Sequence, residues 1–176
     1  MPRRPLLLAL ALLAILVAVY LFGIRWRPEA TVRRNHTAFI GAIEDKKWGK
    51  CRGLIAEQYG DKWGFNRADV TLAIEDVASQ FILVLDFEWT TTRLTPGDDG
   101  KTYTLVGKGK MSGKGTPLAA MIVNQSAAYA AEPFTFVWKK QSSMPWDWKL
   151  QKIEHPTLDV PSGYHPGDIG RATLSF

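Results

Sequence analysis

The chain reads "FILVLDFEWTTTRL" at residues 81–94, "TPGDDG" at residues 95–100 and "KTYTLVGKGKMSG" at residues 101–113. In the first segment the largest side chains recur at every second position, which is the period of a β-strand with one buried face. The proline, glycines and paired aspartates of the middle segment are typical of a tight turn. The three segments therefore predict an antiparallel hairpin. Its inward face is expected to consist of Phe81, Leu83, Leu85, Phe87 and Trp89, with Asp86 and Glu88 facing solvent.

Three helices are predicted before this hairpin. Residues 29–48 repeat apolar side chains at helical spacing, and His36 lies on the apolar face. Residues 49–59 indicate a second, shorter helix. A third helix is predicted to begin after Asn66, whose side chain suits the N-cap position, with Asp69 placed to complete a capping box.

A fourth helix and two more strands are predicted after the hairpin. Thr116 and Pro117 suit the start of a helix that runs through an alanine-rich segment, although a strand is an alternative there. Residues 134–141 and 146–155 form a second strand pair, and residues 158–176 have no period and are expected to be an extended tail. The inward side chains of this pair are predicted to be Phe134, Phe136, Trp138, Trp146, Trp148 and Leu150. Helices first and meander strands afterwards favour an α+β fold with helices packed on an antiparallel sheet.

The N-terminal residues 5–24 carry no charge and are flanked by arginines. A 19-residue helix from Leu6 to Ile24 would be about 28 Å long, close to the roughly 30 Å hydrocarbon core of a bilayer. A cleaved signal peptide is the alternative, but the segment is long for one and lacks an A-x-A exit. Residues 1–27 are therefore predicted to be a single transmembrane anchor. The arginine count on its two sides favours a cytoplasmic domain, whereas the very short N-terminal tail favours an extracytoplasmic one, which is the orientation we expect.

The net charge of +5 is confined to the same end of the chain. Residues 1–34 hold six arginines and one acid, and residues 35–176 hold 16 basic and 16 acidic residues. A nucleic-acid groove needs its surplus of positive charge on the folded surface, so no nucleic-acid partner is predicted. The single cysteine, Cys51, excludes an intrachain disulfide and a multi-thiolate metal site.

The order of elements resembles the nuclear transport factor 2-like superfamily, which includes the SnoaL-like domains. The resemblance is carried also by "LIAEQYGDKWGFNRADV" at residues 54–70, "EPFTFVWKKQ" at 132–141 and "WDWKLQKI" at 146–153. It implies a strongly curved sheet wrapped around helices into a cone, with an apolar pocket at the open end, over a domain of residues 28–157. Members include isomerases, dehydratases and epoxide hydrolases as well as domains without chemistry, so the fold specifies no activity.

No catalytic residue, metal site or cofactor is predicted. An apolar pocket inside the cone would be lined by Trp89, Tyr103 and Trp138, with His36 at its wall or rim. The ligand-binding candidates at its mouth are Asp61, Trp63 and Arg67. The competing interpretation is that Asp61 stabilises a turn, Trp63 plugs the cone, and Arg67 pairs with Asp61 or Asp69.

Three functions stay open at this point. The first is a non-catalytic interaction or assembly domain anchored in a bacterial inner membrane, with a membrane protein or a second copy as partner. The second is a binder of a small apolar molecule in the cone pocket. The third is a SnoaL-like isomerase, dehydratase or hydrolase, for which only Asp61, His36 and Glu88 are candidate acid–base groups.

Overall fold

The computed structural model describes residues 3–20, 23 and 26–169. Five helices and four strands follow one another there, in the predicted α+β order. The elements are α1 (Arg3–Ala18), α2 (Pro28–Glu44), α3 (Trp48–Leu54), α4 (Arg67–Ser79), β1 (Val84–Pro96), β2 (Thr102–Lys114), α5 (Pro117–Tyr129), β3 (Phe134–Lys140) and β4 (Trp148–Glu154).

The four strands form one antiparallel sheet in the order β1-β2-β3-β4. The predicted hairpin is confirmed, with Trp89 opposite Gly109 and Leu85 opposite Gly113. The pairing register shifts once between Thr91 and Arg93 and again between β3 and β4. Such irregularities bend a strand and increase its twist, which allows the sheet to wrap around the helices.

The predicted inward face of the first strand is confirmed for Phe81, which is buried, and again from Leu85 onwards. Leu85 is buried, Phe87 and Trp89 are half-buried, and the intervening acids are exposed. Leu83, in contrast, is 75% exposed, because β1 begins at Val84 and Leu83 lies in the bend before it. Trp146 is 48% exposed for the same reason, since β4 begins at Trp148. The prediction that Leu83 and Trp146 face inward was therefore wrong.

The helix boundaries follow the capping signals of the sequence. The Asn66 side chain accepts hydrogen bonds from the backbone of Ala68 and Asp69, and Asp69 accepts one from Asn66 N in return. Thr116 caps α5 in the same way through Ala119 N. The capping box and the fourth helix were thus predicted correctly.

The hydrophobic core lies between these helices and the sheet. Helix α2 contributes Val32, Phe39 and Ile43, and the sheet contributes Leu105 and Trp138. Helix α2 packs against β1 and β4, and α5 packs against β2. Helix α2 therefore contacts both edge strands of the sheet, and α5 contacts one of the two central strands.

The N-terminal apolar segment is described as α1 followed by residues 19, 20 and 23 in π-helical geometry. Among residues 3–20, 23 and 26–169, no helix combines the length and the apolar character needed to cross a membrane. Residues 21, 22 and 24 of the predicted span lie outside the described residues. The transmembrane anchor stays a prediction.

The C-terminal segment after β4 packs on the domain as far as residue 169. A buried carboxylate on α4, that of Asp76, accepts hydrogen bonds from Tyr164 Oη at 2.8 Å and from Gly167 N at 2.7 Å. Trp63 Nε1 donates to Leu158 O at 3.0 Å. Residues 156–169 are therefore held against α4 and the turn that precedes it, and residues 170–176 of the predicted tail lie outside the described residues.

Candidate functional site

Three of the predicted pocket residues come together inside the fold. The ring of His36 lies 4.8 Å from that of Trp89 and 6.2 Å from that of Trp138, measured between centroids. Phe136 lies 4.8 Å from His36 and 5.2 Å from Trp89, and Phe134 lies 6.4 Å from Trp89. We call these five residues, His36, Trp89, Phe134, Phe136 and Trp138, the aromatic cluster.

Two glycines of β2 determine where Trp89 lies in this cluster. A Cβ at Gly107 would stand 2.4 Å from Trp89 Cζ2, and one at Gly109 would stand 3.0 Å from Trp89 Cε3. The indole therefore lies across the bare backbone of the neighbouring strand, an arrangement that any larger residue would obstruct. The "GKGKMSG" segment at residues 107–113 thus makes room for an aromatic ring.

His36 is the titratable member of the cluster. Its side chain is 2% exposed, and neither ring nitrogen has a hydrogen-bond partner among the described residues. Burial without a partner lowers the pKa of His36 from 6.5 to about 4, so the imidazole is neutral at neutral pH. A general base needs a group that orients it and stabilises its charged form, and no described carboxylate reaches this ring. His36 can offer a bound molecule one neutral donor or acceptor.

His155 extends the aromatic surroundings but has its hydrogen bonds satisfied. Its ring lies 4.3 Å from that of Phe134. Leu158 N donates to Nδ1 at 3.0 Å, so Nε2 carries the proton and donates to Tyr129 O at 3.1 Å. This histidine joins the end of β4 to the end of α5 and to the C-terminal segment. In the sequence, the position of His155 after a predicted strand did not indicate this connecting role.

Tyr103, the other aromatic residue predicted to line the pocket, lies next to one member of the aromatic cluster. It stands opposite Trp138 in the pairing of β2 with β3, and its ring packs against Trp148 at 5.4 Å. Its ring contact is therefore with Trp148, which lies outside the aromatic cluster.

The three charged or aromatic residues predicted at the cone mouth hold the polypeptide chain in place. Asp61 Oδ1 accepts from Trp63 N and Phe65 N, both at 3.0 Å, and Asp61 Oδ2 accepts from Tyr59 Oη at 2.9 Å. Both oxygens of this carboxylate are thus used within the turn. Burial, with the Asp61 carboxylate beside it, raises the pKa of Tyr59.

The sequence suggested that Arg67 pairs with Asp61 or Asp69, but the structure gives it a different partner. Its guanidinium pairs with Glu57 and donates to Arg52 O at 2.9 Å. Asp69 is occupied by the capping box, and Asp61 by the turn. Arg67 therefore ties the start of α4 to the end of α3, which is a structural role.

A surface groove that the sequence did not predict lies near the N-terminal segment. It has a volume of about 480 Å³ and is lined by Trp26, Arg34, Asn35, Leu54, Trp146, Asp147, Trp148 and Lys149, which we call the tryptophan groove. A second hollow runs along the exposed side of α2 from Ala30 to Ala38. Neither is lined by a member of the aromatic cluster.

Comparison with known proteins identifies the architecture. No family model matches the chain, and no curated protein matches it. Among solved structures, Bd1075 of Bdellovibrio bacteriovorus superposes with a TM-score of 0.52 at 10% identity, over 74% of this chain and 40% of that one. An NTF2 design superposes with a TM-score of 0.51 at 9% identity, over 74% of this chain and all of the other. The chain has the nuclear transport factor 2-like fold.

The same fold comparison includes an enzyme. A hexachlorocyclohexane dehydrochlorinase, LinA Type2, superposes with a TM-score of 0.50 at 10% identity, over 77% of this chain and 95% of that one. At such identities the likeness shows the fold alone, and this nuclear transport factor 2-like domain spans two fifths of the length of Bd1075. The function has to be argued from the residues of this chain.

Proposed function

We propose that this protein is a non-catalytic nuclear transport factor 2-like domain. Its N-terminal apolar helix anchors it in a membrane, and there the domain binds a membrane protein or a second copy of itself. The carrying observation is the exposed apolar surface of α1 and the two residues after it. Nine large apolar side chains there are 47–71% exposed: Leu8, Leu10, Leu12, Leu13, Ile15, Leu16, Val17, Val19 and Tyr20. An apolar surface of this extent marks a contact with lipid or with another protein.

The charges around this segment support the lipid contact. Arg27, Arg33 and Arg34 follow it closely, and the residues after position 34 are neutral in sum. Each Leu, Ile, Val or Phe at the centre of a spanning helix contributes about −0.3 to −0.6 kcal/mol to insertion. We further propose that the domain lies on the extracytoplasmic side.

The aromatic cluster supports the non-catalytic part of the proposal. The cluster offers aromatic surfaces and one neutral imidazole, and Asp61 is used by its turn. Glu88, the third candidate acid, is exposed on β1. An isomerase or hydrolase would need a carboxylate or a partnered histidine aimed at its substrate.

Alkaline extraction of membranes from cells that express the full chain tests the anchor. We expect the wild-type chain to stay in the membrane pellet. The double variant Leu12→Arg with Leu16→Arg should be released, since each arginine near the helix centre costs about 2.5–3.5 kcal/mol. Ile82→Arg is the matched control, because Ile82 is 67% exposed on the domain, so this variant should stay in the pellet. A wild-type chain that is extracted at alkaline pH would refute the anchor.

A photo-crosslinker at Leu83 and protease added to intact spheroplasts test the remaining parts. Leu83 is the most exposed large apolar residue of the domain in the described part of the chain. A crosslinked band at twice the chain mass indicates a second copy, and a band of another mass indicates a different membrane protein. If no protein is crosslinked from any exposed position, the interaction role is wrong. In the protease experiment, a domain that is protected from cleavage in intact spheroplasts would lie inside the cell, contrary to the proposed orientation.

Binding of a small apolar molecule is the second candidate function. It is favoured by the unpartnered nitrogens of His36, which could hydrogen-bond to a ligand among aromatic rings. Apolar ligands should then change tryptophan emission and raise the melting temperature of the wild-type chain, and His36→Leu should weaken both effects. Unchanged emission and melting temperature across a panel of apolar ligands would remove this candidate.

A further inference from the structure

The turn between β3 and β4 presents large apolar side chains to solvent. This β3–β4 turn, residues 141–147, reads "QSSMPWD", and in it Met144 is 49% and Trp146 is 48% exposed. Turns are ordinarily polar, as is the "GDDGK" turn at residues 97–101, which lies at the same end of the sheet. Two exposed apolar side chains at the tip of one turn indicate a contact surface.

Backbone hydrogen bonds give this turn one conformation. Gln141 N donates to Asp147 O at 2.9 Å, and Asp147 N donates to Met144 O at 3.3 Å. Trp148 N donates to Trp146 O at 2.9 Å. The two apolar side chains are therefore presented by an ordered backbone, so that burying them against a partner costs little additional backbone entropy.

A contact between two indole rings places the turn beside the N-terminal apolar segment. The rings of Trp26 and Trp146 lie 5.2 Å apart at an interplanar angle of 55°. Trp26 follows the apolar residues 5–24 after a single residue, Arg25. With that segment in the bilayer, as proposed above, Trp26 lies at the membrane–water interface, where tryptophan is enriched. Trp146 lies at the same level because the two rings touch.

We infer that the β3–β4 turn inserts Met144 and Trp146 into the interfacial region of the bilayer. The ligand is the apolar boundary between headgroups and acyl chains, so a zwitterionic lipid is sufficient. The inference rests on the proposed membrane anchor, and it adds a second contact that orients the domain on the membrane surface.

The sheet provides an internal reference for this orientation. Strand β1 runs from Val84 at one end of the sheet to Pro96 at the end that carries the β3–β4 turn. Its 13 residues extend about 40 Å along the strand. Leu83, just before β1, therefore lies at the opposite end of the sheet and should face away from the membrane.

The test measures the depth of the turn in the full chain, reconstituted into phosphatidylcholine nanodiscs. A fluorophore is attached at Ser143→Cys or, separately, at Leu83→Cys, and Cys51 does not compete for it because it is buried. Phospholipid with a nitroxide near the headgroup end of the acyl chain should quench the fluorophore at residue 143, and iodide in the water should not. The fluorophore at residue 83 should show the reverse.

Variants of the turn test which side chains insert. Met144→Ser with Trp146→Ser should lower the ratio of docked to undocked turn about 10- to 100-fold, since two half-exposed apolar side chains lose their burial. Ile82→Ser with Leu83→Ser is the matched control at the opposite end and should leave lipid quenching at residue 143 unchanged. Met144→Leu with Trp146→Phe should also retain it. If the serine variant of the turn folds poorly, the comparison of the two labelled positions still decides.

Three results would overturn the inference. The first is equal lipid quenching at residues 143 and 83, and the second is unchanged quenching in the folded serine variant of the turn. The third is a fluorophore at residue 143 that is shielded from iodide without being quenched by lipid, because a second copy of the chain would then cover the turn.

The failure of the anchor is measured separately. Co-elution of the full chain with nanodiscs reports whether it binds lipid at all. A chain that stays in nanodiscs while residue 143 remains open to iodide contradicts the insertion of the turn alone, whereas a chain that elutes without lipid overturns both proposals.

Discussion

Gly107→Ala should destabilise the domain by displacing Trp89 from the aromatic cluster. The new Cβ would lie 2.4 Å from Trp89 Cζ2 and 2.7 Å from Thr90 O, well inside van der Waals contact. The carbonyl belongs to the paired strand and cannot move without breaking the register of β1 and β2. The indole must therefore shift, and its contacts with His36 and Phe136 are lost in part.

The size of this effect follows from the two contacts. Overpacking a well-ordered interior costs about 1–3 kcal/mol, and complete loss of a buried tryptophan side chain costs about 3–5 kcal/mol. Trp89 is half-buried and is displaced rather than removed, so we expect a loss of about 2–4 kcal/mol in the free energy of unfolding. For a chain of this size that lowers the melting temperature by about 5–15 °C.

Thermal unfolding of the full chain in detergent, followed by near-UV circular dichroism, measures the change. Gly41→Ala is the matched control, because a Cβ at this position in α2 meets nothing within 4 Å. It should stabilise the helix by about 0.5–1 kcal/mol. In a Trp89→Ala background, Gly107→Ala should cost at least about 1 kcal/mol less than in the wild type, because its main clash is gone. An unchanged melting temperature for Gly107→Ala, or the same loss of unfolding free energy in both backgrounds, would show that Gly107 is not needed to make room for the Trp89 ring.

Three further changes test other parts of the fold. The folded-state pKa of His36, about 4, lies below its unfolded value of 6.5, so the free energy of unfolding should fall by up to about 3 kcal/mol as the pH drops from 6.5 to 4. His36→Leu should lose this component of the pH-dependent melting curve and the exposed His165→Leu should keep it; equal curves for all three proteins would contradict the assignment. Tyr164→Phe removes a hydrogen bond to the buried Asp76 carboxylate, worth about 1.5–3 kcal/mol, and should speed proteolysis of the C-terminal segment, whereas an unchanged cleavage rate would mean that this bond does not hold it. Asn66→Ala should lower the free energy of unfolding by about 1 kcal/mol in denaturant titration, unless the capping box does not form in solution.

The sequence predicts well those features that depend on neighbouring residues. The capping box at Asn66, the helix start at Pro117 and the turn at residues 95–100 all require only a few consecutive side chains, and all are present. The alternation along β1 likewise located the buried side of the strand. Alternation does not indicate the residue at which strand pairing begins. For that reason Leu83 and Trp146, which lie just before β1 and β4, were wrongly predicted to face inward.

The partners of Arg67 and of Trp146 depend instead on how distant segments meet. Arg67 reaches Glu57 and the end of α3 because the turn at residues 59–65 folds back, and Asp61, its predicted partner, is consumed in making that turn. Trp146 meets Trp26 across 120 positions of sequence, so no local pattern could have indicated a groove between them. The groove between them is therefore the feature of this protein that sequence period and composition describe least.

The aromatic cluster supports the proposal that this domain binds a partner rather than performing chemistry. A nuclear transport factor 2-like enzyme needs inward space beside its polar groups, whereas here two glycines of β2 are used to lay an indole across the sheet and against His36. The same interior leaves its histidine neutral, because a charged imidazole would have no partner among these rings. These features support the proposal that the domain binds a partner rather than performing chemistry, with the exposed apolar surface of α1 as its proposed membrane contact.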